Sequence, residues 1–308
     1  MSYGKCIVCN KEAVVRIPYA KATFCKDHFI KFYEQKIIRT LREIKFRGGK
    51  ILVGVSGGKD SMALIFALNK LANELNIKVS ALHIDLGISE YSAESRDIFV
   101  EAMKNWRIDY RVINVEDYLG VTIPEIVRVI KRPACSICGT VKRWILNKVA
   151  YENGYDYIAT GHNIDDVSTF YLKALLTYRE EDIIRGQDVI TYPHKGFKAV
   201  GRIRPQLYLS ERENLLYCIY NEIPFVEKSC PLARGALILK YKRLWEGILR
   251  VNPVAQINFV KTIIKIKRKL PAEDIELREC KVCGFPTTSR NSICSFCKIK
   301  MKAEGIKH

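Results

Sequence analysis

The stretch Ser56–Ser61, with the sequence Ser-Gly-Gly-Lys-Asp-Ser, holds the residues best suited to binding a nucleotide. Its flanks predict a buried strand over 51–55 and a helix over 60–75. A glycine turn at a helix N-terminus presents backbone N–H groups to an anion, and the helix dipole adds about half a positive charge. The pattern differs from the Walker P-loop, which has four residues between its first glycine and Gly-Lys-Ser/Thr. The alternative is an ordinary glycine turn, but the strand–turn–helix context favours a nucleotide site.

Two cysteine motifs near the ends of the chain have the spacing of zinc knuckles. One is C-x2-C-x15-C-x2-H and the other is C-x2-C-x10-C-x2-C. Two such knuckles complete a tetrahedral Zn²⁺ site with no open position, which predicts structural zinc that each short end needs in order to fold. The predicted ligands are Cys6, Cys9, Cys25 and His28 in the first site, and Cys280, Cys283, Cys294 and Cys297 in the second. The alternative for His28 is a helix cap or a core histidine.

A third cysteine group lies within the predicted core. Cys135 and Cys138 form a C-x2-C pair, and Cys230 is placed in a loop suited to join them. Three thiolates without a fourth protein ligand leave an exchangeable position, as a reactive site requires. Spacing alone does not separate a [4Fe-4S] cluster with one open iron from a third zinc site or a redox-active pair. Cys218, in an apolar helical stretch, is interpreted as a packing residue.

The composition favours a polyanionic partner. The 308 residues include 51 Lys and Arg against 33 Asp and Glu, a net charge of +18. Nucleic acid is the expected partner, and a generally basic surface of the kind found in thermophiles is the alternative. No apolar run approaches the ~20 residues needed to span a bilayer, and the N-terminus has no signal-peptide core. We therefore expect a cytoplasmic protein without a membrane partner, whose thiols stay reduced and bind metal.

The remaining elements must hold these residues together. Strands are predicted over 79–84, 110–115 and 156–160, and helices over 29–46, 92–106, 138–153 and 163–178. This alternation predicts an α/β fold, a doubly wound parallel sheet with helices on both faces. Ligands of such sheets bind at the carboxyl ends of the strands, where Ser56, Ile84 and Gly161 fall.

Beyond residue 181 the pattern is less regular. An edge strand is predicted over 202–205, a capped helix start at 210–213, and a basic helix over 254–269. The basic helix is either a solvated face or an RNA contact. The expected organisation is an N-terminal zinc module over 1–30, a nucleotide-binding domain with basic C-terminal helices over 31–270 and a C-terminal zinc ribbon over 271–308.

Taken together, these motifs resemble one family. The Ser56–Ser61 loop is similar to the SGGxDS loop of the PP-loop ATP pyrophosphatases, which have an adenine nucleotide alpha hydrolase-like fold. The whole chain resembles the TtuA-type tRNA 2-thiouridine synthetases of the TtcA/TtuA group of PP-loop tRNA thiolases. The paired zinc modules distinguish it from the TtcA type, and the cysteine trio distinguishes it from lysidine synthetase. The matching stretches are Cys6–His28, Ser56–Ser61, Leu82–Ile88, Cys135–Arg143, Thr160–Asp166, Cys230–Pro231 and Cys280–Cys297.

The resemblance implies ATP-dependent adenylation of a tRNA uridine O2, with release of pyrophosphate, followed by replacement of AMP with sulfur. It implies ATP, Mg²⁺, a [4Fe-4S] cluster on the cysteine trio and two Zn²⁺. In an older view of such sites, two cysteines form a persulfide instead. The catalytic residues it implies are Asp60, Lys142, Cys135, Cys138 and Cys230. The nucleotide-binding residues it implies are Gly54, Val55, Ser56, Gly57, Gly58, Lys59, Asp60, Ser61, Ile84, Lys142, Gly161 and Asp166. For Asp166 the alternative is a carboxylate that only stabilises a helix N-terminus.

Several points stay open within this interpretation. Uridine 54 is favoured as the target, with wobble uridine 34 as the alternative. A PP-loop AMP-forming ligase whose cysteines bind only zinc is a second alternative, and an RNA-binding scaffold protein without catalytic activity is a third. The sulfur donor is either a thiocarboxylated ubiquitin-like carrier protein or free sulfide, and the family implies a homodimer.

Overall fold

The computed structural model describes residues 3–184, 186, 188–193, 196–233, 237–269 and 276–305. The boundary expected at 270/271, between the nucleotide-binding domain and the C-terminal ribbon, lies outside these residues. In the part of the chain that is described, no helix is both long and apolar enough to cross a membrane.

The N-terminal segment is a small hairpin followed by a long helix. Strands β1 (Val15–Ile17) and β2 (Ala22–Phe24) pair antiparallel, and helix α1 (Lys26–Glu43) begins directly after Cys25. The helix predicted over 29–46 therefore starts earlier and ends earlier. Its end follows from Lys45, whose left-handed backbone (φ 52°) cannot continue the helix. One face of α1 is fully buried, which anchors the hairpin to the rest of the protein.

The centre of the protein is a six-stranded sheet. Its strands are β3 (Gly49–Gly54), β4 (Ile77–Asp85), β5 (Asp109–Asn114), β6 (Tyr157–Thr160), β7 (Ile190–Thr191) and β8 (Gly201–Ile203). They lie in the order β5-β4-β3-β6-β8-β7, parallel except for β7. The strands predicted over 51–55, 79–84, 110–115 and 156–160 are confirmed to within two residues. The strand predicted over 202–205 is found as β8, but its predicted edge position was wrong, because β7 pairs outside β8 and covers it.

Helices cover both faces of the sheet, as predicted for a doubly wound fold. Alternate residues of β3 point to opposite cores, Ile51 and Val53 to one and Leu52 to the other. The first eight helices after α1 are α2 (Lys59–Lys70), α3 (Ala72–Leu75), α4 (Ser89–Asn105), α5 (Glu116–Leu119), α6 (Ile123–Val129), α7 (Ala134–Glu152), α8 (Ile164–Leu176) and α9 (Glu180–Ile184). The last helices of this part are α10 (Glu211–Tyr220), α11 (Leu237–Val251) and α12 (Ala255–Lys267).

Two further predicted helices have different bounds in the structure. The helix expected over 60–75 is interrupted at Leu71 (φ −91°, ψ 6°). Asn76, with φ 51°, then ends the short α3 and leads the chain into β4. The helix expected over 138–153 starts at Ala134, so Cys135 and Cys138 lie in its first two turns and not in a preceding loop.

The C-terminal segment packs on the sheet-covering helix α7. It consists of β9 (Arg278–Glu279), β10 (Pro286–Thr287) and α13 (Ser295–Glu304). Phe296 stacks on Trp144 of α7 with ring centroids 3.7 Å apart and an interplanar angle of 5°. The two cysteine-rich ends are thus attached to different parts of the same sheet domain.

Candidate active site

A cavity of about 460 Å³ opens at the carboxyl ends of β3, β4 and β6. Parallel strands bring their carboxyl ends to one edge of the sheet, so residues distant in sequence meet there. The cavity brings together twelve of the predicted site residues, namely Gly54, Val55, Ser56, Asp60, Ser61, Ile84, Lys142, Gly161, Asp166, Cys135, Cys138 and Cys230. Gly57, Gly58 and Lys59, which were also predicted to bind the nucleotide, are not among the residues that line it.

The glycine turn is held by its own hydroxyl groups. Ser61 Oγ accepts a hydrogen bond from the Ser56 N–H at 3.0 Å and donates one to the Gly58 carbonyl at 3.0 Å. Gly57 has a left-handed backbone (φ 80°), and a Cβ there would lie 2.5 Å from Ser95 Oγ. The loop therefore requires glycine at position 57 for its shape, although this residue does not reach the cavity.

Two residues outside the predicted set support the loop and also line the cavity. Ser95 Oγ donates to the Ser56 carbonyl at 2.6 Å, and His83 Nδ1 donates to the Val55 carbonyl at 3.0 Å. Burial lowers the pKa of His83, so this ring stays neutral with its proton on Nδ1. His83 belongs to a stretch that resembles the family, whereas nothing in the spacing of Ser95 indicates its role.

Asp60, in the first turn of α2, is held on both carboxylate oxygens. Oδ1 accepts hydrogen bonds from Asn214 Nδ2 at 2.7 Å and Asn163 Nδ2 at 3.1 Å, and Oδ2 pairs with Lys59 Nζ at 3.0 Å. Burial raises the pKa of Asp60, and the Lys59 ammonium opposes that rise. Lys59 therefore compensates the negative charge of Asp60 in this structure.

Helix α7 forms a second wall of the cavity. Cys135 and Cys138 lie one turn apart, and Lys142 follows one turn later. Burial raises the pKa of Cys138, and the Lys142 ammonium opposes the rise. Cys230 reaches the same cavity from the loop before the turn Pro231–Ala233. The cavity lining thus combines the glycine turn with three thiols and a cation.

A group of cations adjoins this wall. The pKa of His162 is lowered to about 4, first by burial and then by the positive charges of Arg204, Lys142, Arg143 and Arg202, in that order. Burial and the two neighbouring arginines likewise lower the pKa of Arg202 to about 10. In the described part of the chain, neither Arg143 nor Arg202 has a carboxylate within 4.0 Å. This excess of positive charge beside the cavity suits an anionic ligand, and sequence spacing gave no signal for it.

Asp166 and Cys218 have structural contacts that bear on their assignments. Asp166 caps α8 and pairs with Lys242 Nζ of α11 at 2.7 Å, while it also lines the cavity. Asp166 therefore does act as a carboxylate at a helix N-terminus, as the alternative interpretation predicted. Its place in the cavity lining is also compatible with the predicted role in nucleotide binding. Cys218 is fully buried and its thiol donates to the Lys59 carbonyl at 3.4 Å, as a packing residue would.

The two terminal groups of ligands have the geometry of single-ion sites. In each group the four ligand atoms lie within 4.8 Å of one another. The Cys9 and Cys25 sulfurs are 3.7 Å apart, and so are the sulfurs of Cys283 and Cys294. Tetrahedral Zn²⁺ with ~2.3 Å bonds to sulfur requires about 3.8 Å between sulfurs. Both groups, Cys6–Cys9–Cys25–His28 and Cys280–Cys283–Cys294–Cys297, therefore fit one zinc ion each.

The cysteine trio differs from these groups. In the described ranges, at least three ligand atoms approach within 4.8 Å of one another only in the two terminal groups. Cys135, Cys138 and Cys230 line the same cavity without meeting this closely. For these three described residues the structure therefore shows no single-ion site like those at the two ends.

Comparisons with protein families give two matches. The profile of the PP-loop domain matches residues 30–231, which include the glycine turn, the cysteine trio and Lys142. The profile of the N-terminal LIM domain of the 2-thiouridine synthetase TtuA matches residues 5–30, which include the first group of ligands.

Individual relatives cover nearly the whole chain. The tRNA-5-methyluridine(54) 2-sulfurtransferase of Pyrococcus horikoshii is 36% identical over 96% of this chain and 93% of the relative. The protein of the same name from Thermotoga maritima is 36% identical over 99% of this chain and 98% of the relative. Among solved structures, the U34-tRNA thiolase NcsA from Methanococcus maripaludis with its [4Fe-4S] cluster has a TM-score of 0.82 at 27% identity, covering 96% of both chains.

Proposed function

We propose that this chain converts a tRNA uridine to 2-thiouridine with ATP. The chain belongs to the TtuA-type tRNA 2-thiouridine synthetases among the PP-loop tRNA thiolases. The observation that carries the proposal is the cavity. Its lining combines a loop suited to ATP phosphates with three thiols suited to sulfur chemistry. An acceptor bound in this cavity would meet both reagents.

The ATP-binding half of the reaction is assigned to the first wall. The phosphates lie along Gly54–Ser61, adenine meets the backbone at Ile84, and Gly161 closes the pocket. Asp60 positions Mg²⁺ or the reacting groups, held by its three polar neighbours. The uridine O2 attacks the α-phosphorus, so that an O–P bond forms to the base and the bond to pyrophosphate breaks. Lys142 stabilises the charge that develops on the phosphates.

The sulfur half is assigned to the second wall, where Cys135, Cys138 and Cys230 would hold a [4Fe-4S] cluster. When bound, the cluster would bind sulfide and supply it to the reaction. Lys142, one helical turn after Cys138, lines the same cavity as these thiols and as the loop proposed for the phosphates. Sulfide attacks C2 of the base and the bond between C2 and O2 breaks, so that O2 leaves with AMP. Holding both groups in one cavity favours this step. The persulfide route would use the same cysteines.

The RNA-binding role is supported by charge. The chain carries a net charge of +18, and Arg143 and Arg202 have no carboxylate partner among the described residues. We infer that these arginines contact phosphates of the tRNA beside the target base, since guanidinium groups suit phosphate geometry. The basic helix predicted over 254–269 contributes less, because Lys267 is bound to Asp188 at 3.2 Å and Lys261 lies over the Tyr208 ring.

Uridine 54 is the favoured target. The relatives named for position 54 are 35–36% identical to the chain, whereas the U34 thiolase is 27% identical. The two terminal groups are proposed to hold structural Zn²⁺. A cytoplasmic location, a homodimer and a sulfur donor that is either free sulfide or a thiocarboxylated carrier protein complete the proposal.

The experiment that separates this function from a zinc-only ligase is anaerobic reconstitution. The purified protein is assayed for iron, labile sulfide and zinc, and then incubated with Mg·ATP, sulfide and tRNA that lacks 2-thiouridine. We expect about four irons and two zincs per chain, and 2-thiouridine formed together with AMP. A protein with three zincs and no iron that consumes ATP without thiolating tRNA would instead support the ligase.

A further inference from the structure

A continuous line of buried hydrogen bonds ends at Asp60. Asn214 Nδ2 donates to Asp60 Oδ1 at 2.7 Å, and Tyr33 OH donates to Asn214 Oδ1 at 2.9 Å. Gln206 Nε2 in turn donates to the Tyr33 oxygen at 2.7 Å. Tyr33, Asn214 and Gln206 are all 0% exposed. The line therefore connects helix α1 to the candidate active site through direct hydrogen bonds between side chains.

The chemistry of each group fixes its direction. An ionised carboxylate only accepts hydrogen bonds, so Asn214 must present its amide nitrogen to Asp60. The amide oxygen then points away from Asp60, and in a buried place it needs a donor. The Tyr33 hydroxyl supplies that donor and accepts from Gln206 with its remaining capacity. Without Tyr33, nothing else on this line would keep the Asn214 amide from rotating away from Asp60.

The position of Tyr33 is itself well determined. Its ring stacks on Tyr217 with centroids 3.9 Å apart and an angle of 11°. The Tyr217 hydroxyl has a different partner and donates to Glu34 Oε1 at 2.8 Å. The two stacked tyrosines are thus equally buried, yet only one of them leads to Asp60. Packing alone would give their hydroxyls similar importance.

We propose that Tyr33 is a positioning residue that orients Asp60 through Asn214, and we name the line Gln206–Tyr33–Asn214–Asp60 the Tyr33 relay. The proposal rests on the proposed function, in which Asp60 acts on ATP. It assigns the first long helix a role in the reaction, because α1 carries Tyr33 and begins at the N-terminal metal-ligand group.

The test compares Tyr33→Phe with the matched control Tyr217→Phe. Each variant removes one buried hydroxyl from the same stacked pair and keeps the ring. The probe is the anaerobically reconstituted protein with Mg·ATP, sulfide and tRNA that lacks 2-thiouridine, and kcat, the KM for ATP and the melting temperature are measured. We expect Tyr33→Phe to lower kcat about tenfold or more, in the range known for outer-shell hydrogen bonds, with the KM for ATP within about twofold. Tyr217→Phe is expected to keep kcat within about twofold.

A double-mutant cycle shows whether Tyr33 acts through Asn214. Asn214→Leu keeps the shape of the side chain and removes both of its hydrogen bonds. If the relay is correct, Tyr33→Phe in the Asn214→Leu background causes no further loss of kcat. Losses that multiply, or equal effects of Tyr33→Phe and Tyr217→Phe, would overturn the relay while leaving the proposed function intact. A wild-type protein that forms no 2-thiouridine would overturn both.

Discussion

Gly161→Ala is the perturbation whose effect on the nucleotide site follows most directly from the structure. A Cβ at position 161 would lie 3.0 Å from the Ser61 nitrogen and 3.1 and 3.2 Å from the carbonyl carbon and oxygen of Asp60. All three atoms belong to the backbone of the glycine turn and α2. Gly161 itself cannot move away easily, since the preceding residue Thr160 is paired with Gly54 in the sheet.

Relief therefore requires the turn or the segment after β6 to shift by a few tenths of an ångström. Overpacking of this kind typically costs about 1–3 kcal/mol. We expect part of that cost to appear as a lower melting temperature. The rest should appear as weaker ATP binding, by about tenfold for each 1.4 kcal/mol, because the displaced N–H groups no longer meet the phosphates.

The assay is calorimetric titration of Mg·ATP, together with thermal unfolding, for Gly161→Ala and for the control Gly247→Ala. Gly247 lies inside α11, and a Cβ there would have no neighbour within 4 Å. The control should gain up to about 1 kcal/mol of stability from its higher helix propensity and keep its ATP affinity. Wild-type ATP affinity and melting temperature in Gly161→Ala would refute the assignment of Gly161 to the nucleotide pocket.

Three further predictions follow from the site. The pKa of His162 is lowered to about 4 in the folded protein, whereas a histidine of the unfolded chain titrates near 6.5. The free energy of unfolding should therefore fall by up to about 2 kcal/mol when the pH is lowered from 7 to 5. In urea titrations at several pH values, His162→Gln should lose this part of the pH dependence. Arg143→Ala and Arg202→Ala should each raise the KM for tRNA and reduce the salt dependence of that KM, while the Kd for ATP stays unchanged. A changed Kd for ATP would contradict the proposed contact with tRNA phosphates. Cys230→Ser should lose the iron absorbance of the reconstituted protein while Cys218→Ser retains it, and equal loss in both would contradict the assignment of Cys218 to packing.

Local signals explain what could be predicted from the sequence. The strand before Ser56 and the helix after it depend on neighbouring residues, and so does each pair of ligands spaced by two. The sequence also carries local signals for the starts of two other helices. Thr122 and Glu125 form a capping box at the start of α6, and Pro133 directly precedes α7, whose first turns carry Cys135 and Cys138. The catalytic and ligand roles of the site residues remain predictions.

Contacts between distant segments explain what could not be predicted. Asp60 meets Asn214, 154 positions later, because α10 packs against α2. Asp166 meets Lys242 only because α11 folds back onto α8. The two-residue strand β7 is too short to leave a periodic pattern, yet it determines that β8 is not at the edge. Such contacts depend on the tertiary arrangement, which no short stretch of sequence encodes by itself.

The central claim is that this chain places sulfur on C2 of a tRNA uridine. It is tested most directly by mass spectrometry of tRNA nucleosides, mapped by position, from a strain in which the gene is deleted and from the same strain with the gene restored. We predict that 2-thiouridine, or its 5-methyl form, is lost at position 54 in the deletion strain and returns with the wild-type gene but not with Asp60→Asn. Unchanged 2-thiouridine at every tRNA position in the deletion strain would contradict the account.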